Sequence, residues 1–203
     1  MLAQECGFWF ISNERRLVMN RERTVILLEI AMMAAFAMVL DFIDSQIKGI
    51  FFGLSLSFSM VPVLLLSFRR GVKAGMTAGF LWGLLQIAVG DAAGSIVHPL
   101  QGFLDYAFAF TLIGLAGLAG QPVNQVKIVI FTALAVFARY FIHFLSGWVY
   151  FGAYAPKGQP AWLYSLVYNG QVALINGVTC IIILVILFTV APRLFSVANY
   201  NKY

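Results

Sequence analysis

Charge is what this sequence has least of. Of its 203 residues only 10% are charged, while 62% are hydrophobic. A soluble domain needs about 25% charged residues to cover its surface, and one small core could not hide all the apolar stretches, so a soluble globular protein is excluded. Cysteine is nearly absent too. Cys6 and Cys180 lie far apart in the chain, form no metal or redox spacing, and read as two unpaired thiols. No G-x-x-x-x-G-K-(S/T) run occurs, so the chain carries no P-loop and cannot hydrolyse ATP by that route. H-E-x-x-H and G-x-S-x-G are missing as well. Nor does any duplication suggest an inverted-repeat secondary transporter. If this protein moves a solute, the energy comes from a partner.

What is there is a series of apolar runs, the pattern of an all-α integral membrane protein. Measured against the roughly 20 residues a bilayer requires, six transmembrane helices are expected over 24–41, 55–68, 72–89, 101–119, 127–151 and 168–190. The second is short and contains Pro62. Gly49 and Gly53 precede it in a segment that enters the membrane without being a regular helix. The organisation that follows is a cytoplasmic N-terminal extension (1–23), a six-helix membrane domain (24–191) and a cytoplasmic C-terminal tail (192–203). The apolar patch from Gly7 to Ile11 is too short for a signal-peptide core, and charged residues follow where a cleavage site should be. The extension is therefore expected to be poorly ordered.

Basic residues orient the bundle. Arg15, Arg16, Arg21, Arg23, Arg69, Arg70, Lys73, Lys127, Arg193 and Lys202 fall on one side of a six-span layout, against Lys48 and Lys157 on the other. Both termini are expected in the cytoplasm of a bacterial cell. The net charge of +5 reports this topology and lipid contact, not a nucleic-acid partner.

Polar groups inside the spans carry the functional signal, because ionisable residues at membrane depth are costly and face a cavity or a partner. Gln101 and Asp105 are four apart and share a helix face. Asp105 wants a cation, supplied by a ligand or by Arg139; an Asp105–Arg139 pair would tie two helices together. His143 lies one turn after Arg139, and Gly147 and Phe151 continue that face. A histidine can hydrogen-bond a heterocycle, and Gly147 lets a flat ring approach the backbone or serves helix packing. Tyr150, Trp162, Tyr164 and Tyr168 are either interfacial belt residues or faces for a cation. Asn169 can cap its helix or hold a ligand hydroxyl. Together these groups point to a small, polar, cationic ligand held inside a membrane protein.

The run Arg139-Tyr140-x-x-His143-x-x-Ser146-Gly147, then Phe151-Gly152, Ala155-Pro156-Lys157-Gly158, Pro160, Trp162 and Tyr164-Ser165-Leu166-x-Tyr168-Asn169 resembles the thiamine-specific substrate-binding subunit of energy-coupling factor transporters. His98-Pro99-x-Gln101 with Leu104-Asp105-Tyr106, and Phe68-Arg69-x-Gly71-Val72-Lys73-Ala74-Gly75, match further signatures, and the likeness extends from about Leu28 to Arg193. The resemblance implies a six-helix fold that binds thiamine from outside. Such a subunit associates with a transmembrane coupling protein and two ATPase subunits, so ATP is used only by the partners and no cofactor or metal resides in this chain. It implies a pocket of Asp105, Tyr106, His143, Gly147, Tyr164 and Asn169, with Phe151 where relatives often carry tryptophan. The acidic position is often glutamate in the family, so the shorter Asp105 must sit closer to the ligand or act through water. Phe51-Phe52-Gly53-Leu54-Ser55 stands where relatives often read Pro-Gln-Gly-Gly-Ser, in a loop that lids the pocket. Ala31 and Ala35 form a small-xxx-small pair on the first helix. Such a pair packs the bundle or, as the resemblance implies, docks on the coupling protein.

Thiamine also fits the residues: a carboxylate and aromatic rings suit its thiazolium cation, and His143 with Asp105 suits its aminopyrimidine. Two other classes remain at this point. One is an intramembrane metal-dependent enzyme using Asp91, His98, Asp105 and His143, although no spacing puts two such ligands on one helix turn. The other is a self-sufficient proton-coupled carrier of thiamine or a precursor, with Asp105 or His143 as the proton site.

Overall fold

A computed structural model describes residues 2–47 and 57–196. Every regular element among them is helical. The main helices are α1 (Leu2–Ile47), α2 (Val61–Arg70), α3 (Val72–Val89), α4 (Pro99–Ala119), α5 (Gln125–Tyr150) and α6 (Ala161–Val190). Single short turns lie at Asp91–Ser95, Gly152–Tyr154 and Pro192–Phe195.

Among the described residues, five helices are long and apolar enough to cross a membrane: Arg21–Ser45 of α1, then α3, α4, α5 and α6. The expected second span is different. Its helix has only ten residues, about 15 Å at 1.5 Å per residue; Pro62 lies in its first turn, and Ser59 and Met60 just before it form a turn. The missing length comes from the lead-in. Asp44 near the end of α1 accepts from Ser57 Oγ at 2.8 Å, Phe58 N at 3.1 Å and Ser59 N at 3.3 Å. At the other end of α2, Arg70 meets Glu29 of α1 at 2.5 Å. Residues 57–70 thus run antiparallel to α1 between the levels of Asp44 and Glu29, about 22 Å apart along the helix.

The remaining helices alternate in direction. Gly71, at φ 85°, breaks α2 from α3, a conformation that L side chains adopt rarely. Gln86 at the far end of α3 donates to Asp41 of α1. Arg69 donates to the carbonyls of Arg193 and Leu194 beyond α6, and Gln121 before α5 donates to those of Phe68 and Phe195. Glu29, Arg69, Arg70, Gln121 and Arg193 therefore gather at one end of the bundle. Helix α6 begins at Ala161, seven residues before the expected start. The helix α1 runs back through the segment read as an extension. Lys48, Gly49, Gly53 and Phe51 to Ser55, the expected lid, lie outside the described residues.

Helices α3 and α4 meet in a close seam. Gly75, Gly79 and Gly83 recur every four residues on α3 and face the backbone of α4. A Cβ at Gly79 would fall 2.2 Å from Phe110 O, and one at Gly83 2.2 Å from Tyr106 O. Without a hydrophobic drive between helices in lipid, this backbone approach is what packing rests on. The seam fixes the stretch of α4 that bears Asp105 and Tyr106.

Candidate functional site

Helix α4 is not uniform. Phe103–Phe108 winds as a π-helical turn, a local widening that often accompanies functional sites. It carries Asp105 and Tyr106, and Gly83 of α3 presses on the Tyr106 carbonyl from behind. On the facing helix α5, His143, Ser146 and Gly147 share one face at three- and four-residue steps.

Asp105 is buried, at 8% exposure, and well partnered. Its Oδ2 accepts from Gln101 Nε2 at 2.7 Å and Ser146 Oγ at 2.8 Å; its Oδ1 lies 3.1 Å from His143 Nδ1. Three donors on a carboxylate that takes about four leave roughly one acceptor position, on Oδ1. The expected Asp105–Arg139 alternative is not what forms. Arg139 instead donates from Nε to His143 Nε2 at 3.4 Å, with its guanidinium 4.1 Å from the Phe110 ring centroid and 5.2 Å from that of Trp82. Rings from α3, α4 and α5 (Trp82, Phe110 and Tyr140) surround the guanidinium in place of a carboxylate.

A cavity of about 400 Å³ opens between α4, α5 and α6, within the usual range for small-molecule sites. Asp105, Tyr106, His143, Gly147, Phe151, Tyr164 and Asn169 all line it, joined by Tyr154, Ser165 and Tyr168. Tyr164 and Tyr168 stack with ring centroids 6.2 Å apart, and Phe151 lies 6.0 Å from Tyr154. Asn169 Nδ2 donates to Ser165 O at 3.0 Å and to Ser165 Oγ at 3.2 Å, which leaves its Oδ1 outside that contact. Gly147 is where α5 and α6 touch: a Cβ there would lie 2.4 Å from Ser165 Oγ. The site is thus one anionic group and a hydroxyl-bearing aromatic wall around a space the size of a small heterocycle.

The family described as Thiamine transporter protein (Thia_YuaJ) matches residues 27–196. The chain belongs to that family. The thiamine transporter ThiT of Bacillus subtilis (strain 168) is 42% identical over 190 residues, covering 88% of this chain and 98% of its own. The thiamine transporter ThiT of Lacticaseibacillus paracasei is 40% identical over 196 residues, covering 91% and 96%. A solved structure of ThiT from Listeria monocytogenes superposes with a TM-score of 0.76 at 35% identity, covering 87% of this chain and 100% of that one. The protein is accordingly a multi-pass membrane protein of a transporter family, not an enzyme.

Within this thiamine transporter family member, other residues singled out in the sequence fall elsewhere. His98 caps the start of α4 by accepting from Leu100 N at 3.1 Å, and its ring stacks on Tyr150 at 5.4 Å. Trp162 is exposed on α6 and does not line the cavity. Ala31 and Ala35 are exposed, whereas Ala34 and Ala37 carry the packing of α1 at 1% and 0% exposure. Ser146, which holds Asp105, and the lining residues Ser165, Tyr154 and Tyr168 are not in the pocket set expected from the sequence. Their signal was periodicity: Ser146 is three residues after His143, and Ser165 is four before Asn169.

Proposed function

We propose that this chain binds thiamine with high affinity and delivers it across the bacterial cell membrane as the substrate-specificity subunit of an energy-coupling factor transporter. The cavity carries the reading. Its buried carboxylate keeps one open acceptor position, its wall is tyrosine and phenylalanine, and its volume suits a two-ring ligand. A thiazolium is a permanent cation, attracted by Asp105 and by ring faces worth about 2 kcal/mol or more when desolvated. The aminopyrimidine offers donors for Asp105 Oδ1, and Asn169 offers an amide for the hydroxyethyl tail.

The coupled mechanism is supported by two features. No P-loop occurs in the chain, which fits the resemblance's implication that two partner ATPases hydrolyse ATP and a transmembrane coupling protein links them to this chain. Exposed Ala31 and Ala35 on α1 give a surface where another helix can approach closely. The antiparallel course of residues 57–70 along α1 supports six crossings. The basic residues gathered near Glu29 and Arg193 support both termini on the cytoplasmic side.

Uptake by proteoliposomes tests this directly. Vesicles holding this chain with the coupling module should accumulate thiamine only with ATP, and vesicles holding the chain alone should not. Accumulation by the chain alone under a proton gradient would replace this mechanism with a proton-coupled carrier.

A further inference from the structure

His143 meets a different partner on each ring nitrogen. Nδ1 lies 3.1 Å from Asp105 Oδ1, and Nε2 lies 3.4 Å from Arg139 Nε. A guanidinium can only donate, so Nε2 must be the bare nitrogen; an ionised carboxylate can only accept, so Nδ1 must carry the proton. The two contacts agree but differ in what they exclude: Asp105 calls for a proton on Nδ1, which an imidazolium would also supply, and only Arg139 denies one to Nε2. An Nε2–H would set donor against donor at Arg139, which excludes both the other tautomer and the imidazolium by one contact.

Arg139 is itself held in place. Its guanidinium sits 4.1 Å from the Phe110 ring centroid, 5.2 Å from that of Trp82 and 5.5 Å from that of Tyr140. These rings come from α4, α3 and α5. No carboxylate among the described residues lies within ion-pair distance of it. A caged arginine whose side-chain contact is a histidine nitrogen has a use other than neutralising charge.

We infer that Arg139 is a positioning residue that locks His143 as the neutral Nδ1–H tautomer and thereby aims Asp105, still an anion, at the cavity. The inference rests on the reading of this cavity as a thiamine site. The proton on Nδ1 binds Oδ1 in place, while Gln101 and Ser146 hold Oδ2. A doubly protonated ring would put a cation beside Asp105 and cancel the charge that a thiazolium needs. A ring protonated on Nε2 alone would face Oδ1 lone pair to lone pair and release it. The tautomer set by one nitrogen's partner thus decides what the other nitrogen offers.

The test reads the imidazole nitrogen chemical shifts of the full-length, ligand-free protein at neutral pH. The chain has two histidines, and His98→Asn, which keeps a capping side chain, leaves the His143 signals alone in the spectrum. The wild type should show a protonated Nδ1 and a bare Nε2. Arg139→Leu should lose that pattern and bind thiamine about tenfold more weakly, as expected for a hydrogen bond to a charged group. Arg139→Lys, which retains a donor, should restore the pattern and most of the affinity. A protonated Nε2 in the wild type overturns the inference without any variant having to fold. An unchanged tautomer in Arg139→Leu together with weakened binding overturns it as well, since Arg139 would then act by another route. A bare Nε2 in a wild type that does not bind thiamine supports the positioning role and contradicts the proposed function instead.

Discussion

Asp105 on the π turn of α4 and His143 on α5 face each other at 3.1 Å, Oδ1 to Nδ1, at the edge of the cavity. The contact joins two helices whose sequence separation is 38 residues, and it leaves the carboxylate charge next to open space. Asp105→Asn keeps the shape, removes the charge and puts an amide among three donors. Thiamine affinity should fall by about 1.5–3 kcal/mol, the range for hydrogen bonds to charged groups. Titration and thermal melting of the same preparation check this. A lowered melting temperature with intact affinity would mean that Asp105 merely ties α4 to α5.

Gly147 makes a different claim, about space. A Cβ there meets Ser165 Oγ at 2.4 Å and Asn169 Nδ2 at 3.2 Å, so Gly147→Ala must push α6 or reorient both side chains. Overpacking of this kind costs about 1–3 kcal/mol, and here it should also weaken thiamine binding because Ser165 and Asn169 line the cavity. Gly170→Ala is the control: nothing lies within 4 Å of its Cβ, so binding and stability should be unharmed.

The α3–α4 seam should be sensitive at a distance from the ligand. At Gly83 a Cβ would fall 2.2 Å from Tyr106 O and 2.8 Å from Tyr106 C, backbone atoms that cannot rotate away. Gly83→Ala should destabilise the fold by about 1–3 kcal/mol and loosen the turn that bears Asp105. Calorimetric melting with and without thiamine would show a lower transition and a smaller ligand-induced rise than in the wild type.

Much of this architecture is written in local pattern. The long spans α3 to α6 and the apolar part of α1 follow from hydropathy; the pocket set is legible through the family motif, and spacing alone groups only His143, Gly147 and Phe151 on one face. What was hidden is non-local or subtle. The start of α6 was placed at Tyr168 because Trp162, Tyr164 and Ser165 dilute its hydropathy, although they are helical. Nothing in Phe103 to Phe108 marks a π turn. The length of α2 depends on Asp44 gripping Ser57, Phe58 and Ser59, a contact that periodicity does not encode. Charge alone leaves a ligand or Arg139 as the cation for Asp105, and the cage of Trp82 and Phe110 that turns Arg139 to His143 comes from two other helices.

Helix α1 offers a comparison between adjacent positions. Ala31 and Ala35 are exposed, while Ala34 is buried at 1% exposure. Ala31→Trp and Ala35→Trp should leave thiamine binding in detergent near normal, yet abolish ATP-driven uptake and co-purification with the coupling module. Ala34→Trp should unfold or destabilise the protein and lose both activities. If the exposed variants lose binding too, these alanines belong to the bundle; if they retain uptake, docking uses another surface.

Calorimetric titration of thiamine into the purified, detergent-solubilised chain, without partner subunits, bears most directly on the whole account. The account predicts saturable one-to-one binding with a dissociation constant below about a micromolar, a free energy of about −8 kcal/mol or stronger, accompanied by quenching of intrinsic tryptophan fluorescence. Neither heat nor quenching at micromolar protein would contradict it, because the cavity formed by Asp105, His143, Tyr164 and Asn169 would then not be a thiamine site.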